Sequence, residues 1–342
     1  MIITRTPFRI TLGGGGTDLP SFYEAHGGYV FTMAINKYMF ICLNRPAIGG
    51  RKVVVRYSKV ETVDSAEEIV HPLAREAFKL HGLLENIELT SIADMPGKSG
   101  LGSSGAYLVG LLTAVRAYKN QTASAHTIAE EACHIEMNIL KEPVGKQDQY
   151  IAALGGFQAL EIDRNGKVAT RSIPVDFVTA NELATKCRVY YTGVQRSATA
   201  VLKSQDDSAR QGGGPDKNAV VDSLLAIKEI GRRIETAFAE RDLDAFARLT
   251  DEHWKQKQRL SNKVSISSVD ELYNVVKERF GVLGGKIIGA GGGGFLMLYT
   301  PKDGRDLDEY MASHGMPRVS YFPSAQGSRV ASDLSSFDDF GA

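Results

Sequence analysis

The chain has 342 residues, with 40 basic and 40 acidic side chains, so its net charge is zero and its pI is about 7.1. This length is enough for a large core and most simply forms two domains. The balanced charge argues against a nucleic-acid or anionic-membrane surface, and no apolar stretch reaches the roughly 18 residues of a membrane span.

The cysteines and the first residues predict a cytoplasmic protein. Cys42, Cys133 and Cys187 are far apart and fit neither a disulfide framework nor a metal site. The chain begins like a strand and lacks the layout of a signal peptide. A reducing compartment follows from both features. The sequence leaves the oligomeric state open, a homodimer included.

The first predicted element is a strand over residues 2–12, which ends in four consecutive glycines, Thr17 and Asp18. Consecutive glycines let a ligand approach the backbone closely. Arg9 before the glycines and Asp18 after them can bracket a polyol, because a carboxylate accepts hydrogen bonds from hydroxyls and a guanidinium supplies a cationic fork. An ordinary surface pair is the alternative.

Strands over residues 30–44 and 52–57 and a helix over 67–81 lead to a strand over 87–95, a loop, and an apolar helix over 107–118. In the loop, glycines let N–H groups converge, and the helix start adds a partial positive charge, which together favour phosphate. A turn with a serine cap would not need three glycines and three serines between positions 99 and 105. The predicted phosphate-binding residues are Pro96, Gly97, Lys98, Ser99, Gly100, Leu101, Gly102, Ser103, Ser104 and Gly105.

Two better-known glycine motifs fit this loop less well. Its G-x-G-x-x-G spacing is that of a dinucleotide site, but that site needs a strand after the helix, and residues 122–140 have a helical pattern. A protein-kinase loop would need a His-Arg-Asp segment, which the sequence lacks. A nicotinamide-dependent oxidoreductase is therefore kept only as the rival from another enzyme class.

The helix over residues 127–140 carries the next candidate, Glu136. A carboxylate on an apolar helix face is costly unless it is paired or bound to a metal, so the alternatives are a buried Arg or Lys partner and Mg²⁺. Ser104 offers a hydroxyl to the same ion. The helix spacing puts Glu136 on one face with apolar side chains, namely Ala132, Cys133, Ile139 and Leu140.

Asp148 follows a helix break at Pro143 and begins a short helix. It is either a helix cap or a group that takes a proton from an acceptor hydroxyl, for which it must lie within about 3 Å of that hydroxyl.

The second half begins after a hairpin over 157–173 and a domain boundary near residues 181–186. Arg196, after a strand over 188–192, is a candidate for binding a second anion, with a solvated arginine as the alternative. A polar, glycine-rich segment over 205–217 predicts a mobile loop. Helices over 220–240, 243–260 and 269–280 follow, and packing accounts for His71 and His253. A glycine-rich turn then leads into a strand over 295–300.

Four segments resemble motifs of the GHMP kinases, a family that includes galactokinase, homoserine kinase and mevalonate kinase. The P-x-x-x-G-L-G-S-S-x-A loop over 96–106 resembles the nucleotide motif, with Gly105 where alanine is usual. Residues 7–18 are similar to the first motif, residues 145–149 to the G-x-x-D-Q element, and residues 286–294 to the K-x-x-G-A-G-x-G-G motif. The resemblance covers nearly the whole chain.

The resemblance implies an α+β, two-domain GHMP kinase fold with the active site in the interdomain cleft, and domains over 1–184 and 185–342. It implies ATP and Mg²⁺ as cofactors, with Ser104 and Glu136 on the metal. Asp148 would face the acceptor hydroxyl and Arg9 would stabilise the transferred phosphoryl group. The implied substrate residues are Asp18, Gly15, Gly16, Thr17 and Arg196, and the implied supporting glycines are Gly289, Gly291, Gly292 and Gly293.

The first motif also resembles one branch of the family. Its four glycines followed by Thr-Asp-Leu-Pro look like the heptose 7-phosphate kinases, and the Gly-Glu-His of galactokinase is absent. The branch implies phosphorylation of the anomeric hydroxyl of D-glycero-alpha-D-manno-heptose 7-phosphate to the 1,7-bisphosphate, in nucleotide-activated heptose biosynthesis. The expected partner is thus a small sugar phosphate, without nucleic acid or membrane. A fucokinase-like or galactokinase-like sugar-1-kinase is the alternative.

Overall fold

Two β-sheets organise the chain. The computed structural model describes residues 1–48, 50–97, 99–194, 215–260, 264 and 267–334, without the side chains of 215–217 and 267–268. Lys98, Arg196 and the predicted loop residues 205–214 therefore lie outside the described residues. No helix within the described ranges is long and apolar enough to cross a membrane.

The larger sheet has the strand order β12-β1-β2-β5-β3-β4, and β6 and β7 extend it from β2. The strand β2 is long enough to pair with β6 through residues 28–33 and with β5 through residues 39–44. Its strands are β1 (Ile2–Gly13), β2 (Gly28–Asn44), β3 (Val53–Arg56), β4 (Val60–Val63), β5 (Ile87–Ala93), β6 (Phe157–Ile162), β7 (Val168–Ser172) and β12 (Arg329–Asp333).

The smaller sheet has the order β11-β8-β10-β9. Its strands are β8 (Cys187–Tyr191), β9 (Gly284–Ile287), β10 (Phe295–Tyr299) and β11 (Arg318–Val319). The helices are α1 (Pro20–His26), α2 (Pro72–His81), α3 (Ser103–Tyr118), α4 (Ala125–Cys133), α5 (Gln147–Leu154), α6 (Phe177–Lys186), α7 (Pro215–Ala239), α8 (Leu243–Gln258), α9 (Ser267–Phe280) and α10 (Arg305–Ser313).

Helix α3 is the centre of the larger layer because it is apolar on nearly every side and packs on both β1 and β2. A helix that is apolar all round is stable only inside a core. The same core continues through α7 and α8 to Val189 and Phe295 of the smaller sheet. The two sheets thus share one apolar interior, and the loops that join β1, α3 and α5 meet at its edge.

The main strands and helices agree with the sequence prediction, and the differences have local causes. The helix predicted over 67–81 begins only at Pro72, after a short 3₁₀ turn, because a residue before proline is disfavoured in helical geometry. The helix α7 begins at Pro215, so the last three residues of the predicted 205–217 loop are helical. The helix predicted over 127–140 is α4 followed by a π-helix over His134–Ile139.

The wider π turn explains a wrong face assignment. Glu136 is buried as predicted, but Ile139 is 38% exposed because the extra residue in the π turn rotates the following positions. The sequence also gave no signal for α1, α6, β4, β9 and β12. The strand β12 pairs with β1, so the end of the chain returns to the larger sheet. The boundary after residue 184 lies inside α6 and stays a prediction.

Candidate active site

Arg9 and Asp148 form an ion pair at the meeting point of β1 and α5. The Nε of Arg9 donates to Oδ1 of Asp148 at 2.8 Å, and Nη2 lies 2.8 Å from the same oxygen. The Nη1 group of Arg9 donates to the carbonyl of Gly100. The Arg9 side chain is buried, whereas that of Asp148 is 23% exposed. The carboxylate is therefore held in one orientation and still reaches the cavity.

Local structure explains why these two groups meet. The loop over residues 96–105, which leads into α3, is called the phosphate loop below. The Arg9 backbone N–H donates to the Leu101 carbonyl at 3.1 Å, so β1 lies directly against this loop. Asp148 lies in the first turn of α5, whose N-cap residue is Lys146. The helix-cap alternative for Asp148 is therefore wrong.

A cavity of about 120 Å³ lies in front of this pair. Its walls come from the glycine loop after β1, the phosphate loop, the start of α5, α8 and the glycine motif before β10. The lining residues used below are Arg9, Gly15, Gly16, Asp18, Gly100, Gly102, Ser103, Ser104, Gly145, Asp148, Lys257 and Gly289.

Asp18 is a second carboxylate in the wall of this cavity. Its carboxylate accepts hydrogen bonds from the backbone N–H groups of Gly16 (3.2 Å) and Gln147 (3.1 Å). Burial raises its pKa above the ordinary value despite these bonds, and the charge of Asp148 raises it further. A Cβ on Gly145 would lie 2.0 Å from Oδ2 of Asp18, so glycine is required there.

The glycine loop divides into lining and structural residues. Gly15 and Gly16 line the cavity as predicted. Thr17 does not, because it is fully buried, its hydroxyl lies within hydrogen-bond distance of the carbonyls of Gly14 and Tyr29, and its Oγ1 accepts from the Tyr29 N–H at 3.0 Å. The substrate assignment of Thr17 was wrong, because its hydroxyl ties the loop to β2.

The phosphate loop has the backbone geometry of an anion site. Gly100 and Gly102 both have positive φ, and Gly102 is the N-cap of α3 without a side-chain cap bond. Helix α3 thus begins at a glycine beside the cavity, and the start of a helix favours an anion. Leu101 is buried in the core and faces away from it. A Cβ on Gly105 would lie 2.8 Å from Cβ of Asp148, so this glycine sets the spacing between α3 and α5.

Glu136 is buried next to this loop. Its carboxylate accepts a hydrogen bond from Nε2 of Gln149 at 2.5 Å and another from the Ser104 side chain. Burial raises the pKa of Glu136 to about 7. In the described part of the chain, no Arg or Lys pairs with it and no cluster of three acidic, His or Cys ligands occurs. The predicted buried ion pair is absent there, and one carboxylate beside one hydroxyl fits a Mg²⁺ that also binds nucleotide phosphates.

The third glycine segment supports the phosphate loop through its two ends. A Cβ on Gly289 would lie 2.5 Å from the Gly100 carbonyl oxygen, and one on Gly294 would lie 2.1 Å from that of Ser99. The residues between them pack elsewhere: Gly291 and Gly292 contact Val264, and Gly293 contacts Val194. Of the four glycines predicted to support the loop, Gly289 is the one whose contacts within the described residues reach it, and Gly294 was missed.

Two residues of α8 were also missed. The Nε2 of buried His253 accepts a hydrogen bond from the Gly14 N–H at 3.2 Å, so His253 holds the glycine loop rather than merely packing. Lys257 lines the cavity and donates to the Gly289 carbonyl. The two are four residues apart and share a helix face, the one signal that could have linked them.

A second cavity, of about 430 Å³, lies on the other side of the phosphate loop. The ring of His71 stacks on Tyr107 with centroids 4.7 Å apart, and Tyr57 meets His71 edge-on at 4.8 Å. The Tyr107 hydroxyl is buried and has no hydrogen-bond partner among the described residues. Ser103 and Ser104 line both cavities, so the loop lies between an aromatic site and the Arg9–Asp148 site.

Comparison with known families agrees with this arrangement. The model of the GHMP kinases N terminal domain matches residues 66–156, and that of the GHMP kinases C terminal domain matches residues 234–313. The chain belongs to the GHMP kinases. The predicted family and its two-domain fold are therefore confirmed, and GHMP kinases use ATP. Helix α3 is followed by another helix, α4. A dinucleotide site needs a strand at this place, and the described residues between 119 and 140 contain none.

Curated relatives of this GHMP kinase include sugar kinases. It is 27% identical over 314 residues to a D-glycero-alpha-D-manno-heptose 7-phosphate kinase of Campylobacter jejuni, covering 87% of this chain and 89% of the relative. It is 26% identical to an L-fucokinase/L-fucose-1-P guanylyltransferase of Bacteroides fragilis, covering 86% of this chain but only 34% of that longer protein. These findings support a small-molecule sugar kinase, the enzyme class predicted from the sequence.

Solved structures show the same fold. A D-glycero-D-manno-heptose 1-phosphate kinase from Bacteroides thetaiotaomicron superposes with a TM-score of 0.78 at 20% identity, covering 98% of this chain and 100% of that one. The galactokinase of Lactococcus lactis gives a TM-score of 0.75 at 18% identity, covering 96% and 95%.

Proposed function

We propose that this GHMP kinase transfers the γ-phosphoryl group of ATP to the anomeric hydroxyl of D-glycero-alpha-D-manno-heptose 7-phosphate and forms the 1,7-bisphosphate. The Arg9–Asp148 pair beside the phosphate loop is the observation that carries the phosphoryl-transfer part of this proposal. The choice of acceptor is supported by the similarity to the Campylobacter jejuni relative over 87% of the chain. A cytoplasmic location, in the pathway to nucleotide-activated heptose, belongs to the same proposal.

The phosphate loop binds the triphosphate in this proposal. The N–H groups at the start of α3 point at the phosphates, and the positive φ of Gly100 and Gly102 gives the loop the curvature that leaves those groups free of side chains. The aromatic cavity takes the nucleotide base: the faces of His71 and Tyr107 supply stacking, and the unpartnered Tyr107 hydroxyl supplies a hydrogen bond.

Ser104 and Glu136 hold Mg²⁺, which neutralises charge on the nucleotide phosphates when it is bound. Asp148 orients the acceptor hydroxyl and takes its proton, and Arg9 holds that carboxylate in place. Asp18 accepts hydrogen bonds from the other sugar hydroxyls, since its remaining acceptor capacity faces the cavity. Phosphoryl transfer depends mainly on positioning and charge neutralisation, and this set of groups supplies both.

A fucokinase-like reaction is the second candidate, because two fucokinase relatives match 86% and 89% of this chain. ADP release with MgATP separates the candidates when it is measured with heptose 7-phosphate, mannose, mannose 6-phosphate, fucose, galactose and mevalonate. The proposal expects strong turnover with heptose 7-phosphate alone. If fucose or another unphosphorylated sugar is turned over preferentially, that sugar replaces heptose 7-phosphate as the proposed acceptor.

A further inference from the structure

The cavity in front of Arg9 and Asp148 contains a second cationic side chain, Lys257. It comes from α8, which packs on β9 of the smaller sheet, whereas Arg9 lies in β1 of the larger sheet and Asp148 in α5, which packs on that sheet. The side chain of Lys257 is 5% exposed and lines the cavity. A lysine from the second half of the chain thus enters the same space as the phosphate loop.

The contacts of Lys257 leave part of its ammonium group unused. Its Nζ donates to the Gly289 carbonyl, and an ammonium has three N–H donors. Within the described ranges no carboxylate forms an ion pair with it. The neighbouring lysine of the same helix behaves differently, because Lys255 pairs with Asp251 at 2.8 Å. Lys257 is therefore a buried cation whose partner is not a protein carboxylate of the described chain.

The charges around Lys257 favour an anion in the cavity. Arg9 lies near Lys257 on the side of β1, and the carboxylates in the cavity are already engaged: Asp148 by Arg9, and Asp18 by backbone N–H groups of the glycine loop and α5. Burial lowers the pKa of two further neighbours, His253 and Lys286 of β9, well below their ordinary values, so neither is counted as a cation. Lys257 therefore has no carboxylate of its own among the described residues, and a buried cation without a paired anion is costly unless a ligand supplies the negative charge.

Lys257 is also connected to the phosphate loop through Gly289. Its bond holds the Gly289 carbonyl, and Gly289 packs directly against Gly100. Arg9 donates to the Gly100 carbonyl. The two cations thus bond neighbouring parts of the backbone in the wall of the cavity that Asp148 lines.

We propose that Lys257 is a catalytic residue that binds the oxygens of the phosphoryl group during its transfer. The inference rests on the proposed kinase function but not on which sugar is the acceptor. In the transfer, the bond from the acceptor oxygen to phosphorus forms, the bond from phosphorus to the β-phosphate oxygen of ATP breaks, and the hydroxyl proton goes to Asp148. Lys257 keeps its own protons and neutralises charge on the equatorial oxygens.

Variants at positions 257 and 255 test the inference. K257M removes the ammonium at similar length, K257R retains a charge, and K255M is the matched control because Lys255 is 62% exposed and two residues away. Loss of one charge-stabilising donor typically costs about 10²–10³ in kcat, so K257M is expected to fall by about this factor with KM values for ATP and sugar little changed. K257R is expected to recover part of the loss, and K255M to match wild type.

The pH profile is an independent readout. Burial, and then the charge of Arg9, lower the pKa of Lys257 to about 8, while Asp18 acts in the opposite direction. The wild-type kcat is expected to fall as pH rises through this region, and K257R is expected to lack that alkaline limb.

Three results would overturn the inference. An unchanged kcat with a raised KM for only the phosphorylated sugar would make Lys257 a substrate-phosphate subsite. If K257R is as impaired as K257M and both variants melt at a lower temperature than wild type, Lys257 acts only through its structural bond to the Gly289 carbonyl. An unchanged enzyme in K257M would exclude any role.

Failure of the acceptor proposal is distinguishable from failure of this one. If wild type uses another sugar, the same variants are compared on that sugar. If no sugar is turned over, calorimetry with MgADP and aluminium fluoride, a mimic of the transferred phosphoryl group, gives the answer. The inference expects K257M to bind MgADP like wild type and to lose the additional affinity that aluminium fluoride confers; equal affinity in both proteins would contradict it.

Discussion

Arg9 contacts only one of the two carboxylate oxygens of Asp148. Both Nε and Nη2 reach Oδ1 at 2.8 Å, and no donor of the described residues reaches Oδ2. One oxygen therefore holds the carboxylate in place, and the other has no donor among the described residues, while the residue itself lines the cavity. This division lets a single aspartate be both rigid and available to a hydroxyl proton.

Replacing this carboxylate tests its proposed role. D148N retains the shape of the side chain but cannot accept a proton, and general acid–base contributions of about 10²–10⁴ predict a kcat loss in that range. Nucleotide affinity is expected to stay near wild type because Asp148 is not part of the phosphate loop. Steady-state kinetics and calorimetric ATP binding check both expectations. A D148N enzyme with full turnover would remove Asp148 from the chemistry.

The magnesium assignment predicts a specific defect in E136Q. The amide is neutral and cannot replace the carboxylate as a hard oxygen ligand, so the Mg²⁺ concentration for half-maximal activity should rise at least about tenfold. E142Q is the control, because this carboxylate lies six residues away on the same segment and its backbone bond to Glu136 is unaffected. Titration of activity with Mg²⁺ measures the change. Equal Mg²⁺ dependence in E136Q and wild type would contradict the assignment.

Alanine at position 105 should disturb the site. In G105A the new Cβ would lie 2.8 Å from Cβ of Asp148 and push α5 away. Displacement of a catalytic group by a fraction of an ångström to 1 Å costs up to about 10²-fold, so we expect a kcat loss of that order in G105A, measured by steady-state kinetics. Wild-type activity in G105A would show that α5 tolerates the extra methyl group.

His253 makes the stability of the protein depend on pH. Burial holds its pKa well below the ordinary value of 6.5, and its Nε2 must stay unprotonated to accept the Gly14 N–H. The unfolded chain takes up this proton below about pH 6.5 and the folded chain does not, so stability falls as pH decreases, by up to ~1.4 kcal/mol per pH unit.

Denaturant unfolding at pH 7.5 and 5.5 checks this prediction. H253Q retains an acceptor that does not titrate, so its loss of stability over this interval should be smaller than that of wild type. The same loss in both proteins would place the pH dependence elsewhere.

Much of this site could be predicted from the sequence, because glycine-rich loops and a carboxylate on an apolar face are local signals. Short segments of the sequence were enough to predict the phosphate loop, Asp18 and Glu136, because their chemistry follows from the residue types. The pairing of Arg9 with Asp18 across the glycine loop was predicted in the same way. Glu136 illustrates the limit: its burial was predicted, but the π turn that carries it depends on tertiary packing and changed the face of Ile139.

The missed residues are those whose role depends on long-range contacts. Lys257 reaches the cavity only because α8 packs on β9, and His253 meets Gly14 across 239 positions of sequence. The substrate assignment of Thr17 was wrong for the same reason, since its hydroxyl bonds the backbone of β2 rather than a ligand. A linear pattern gives the type of a side chain but not the element that folds against it.

The most direct test of the account is the position of the new phosphate in the product. Wild-type enzyme with MgATP and D-glycero-alpha-D-manno-heptose 7-phosphate is followed by ³¹P NMR, which distinguishes a glycosyl phosphate at C1 from a phosphomonoester at C7. The account predicts one new glycosyl phosphate per ATP consumed, with the C7 signal retained. A new phosphate at any other position, or no consumption of ATP with this sugar, would contradict it.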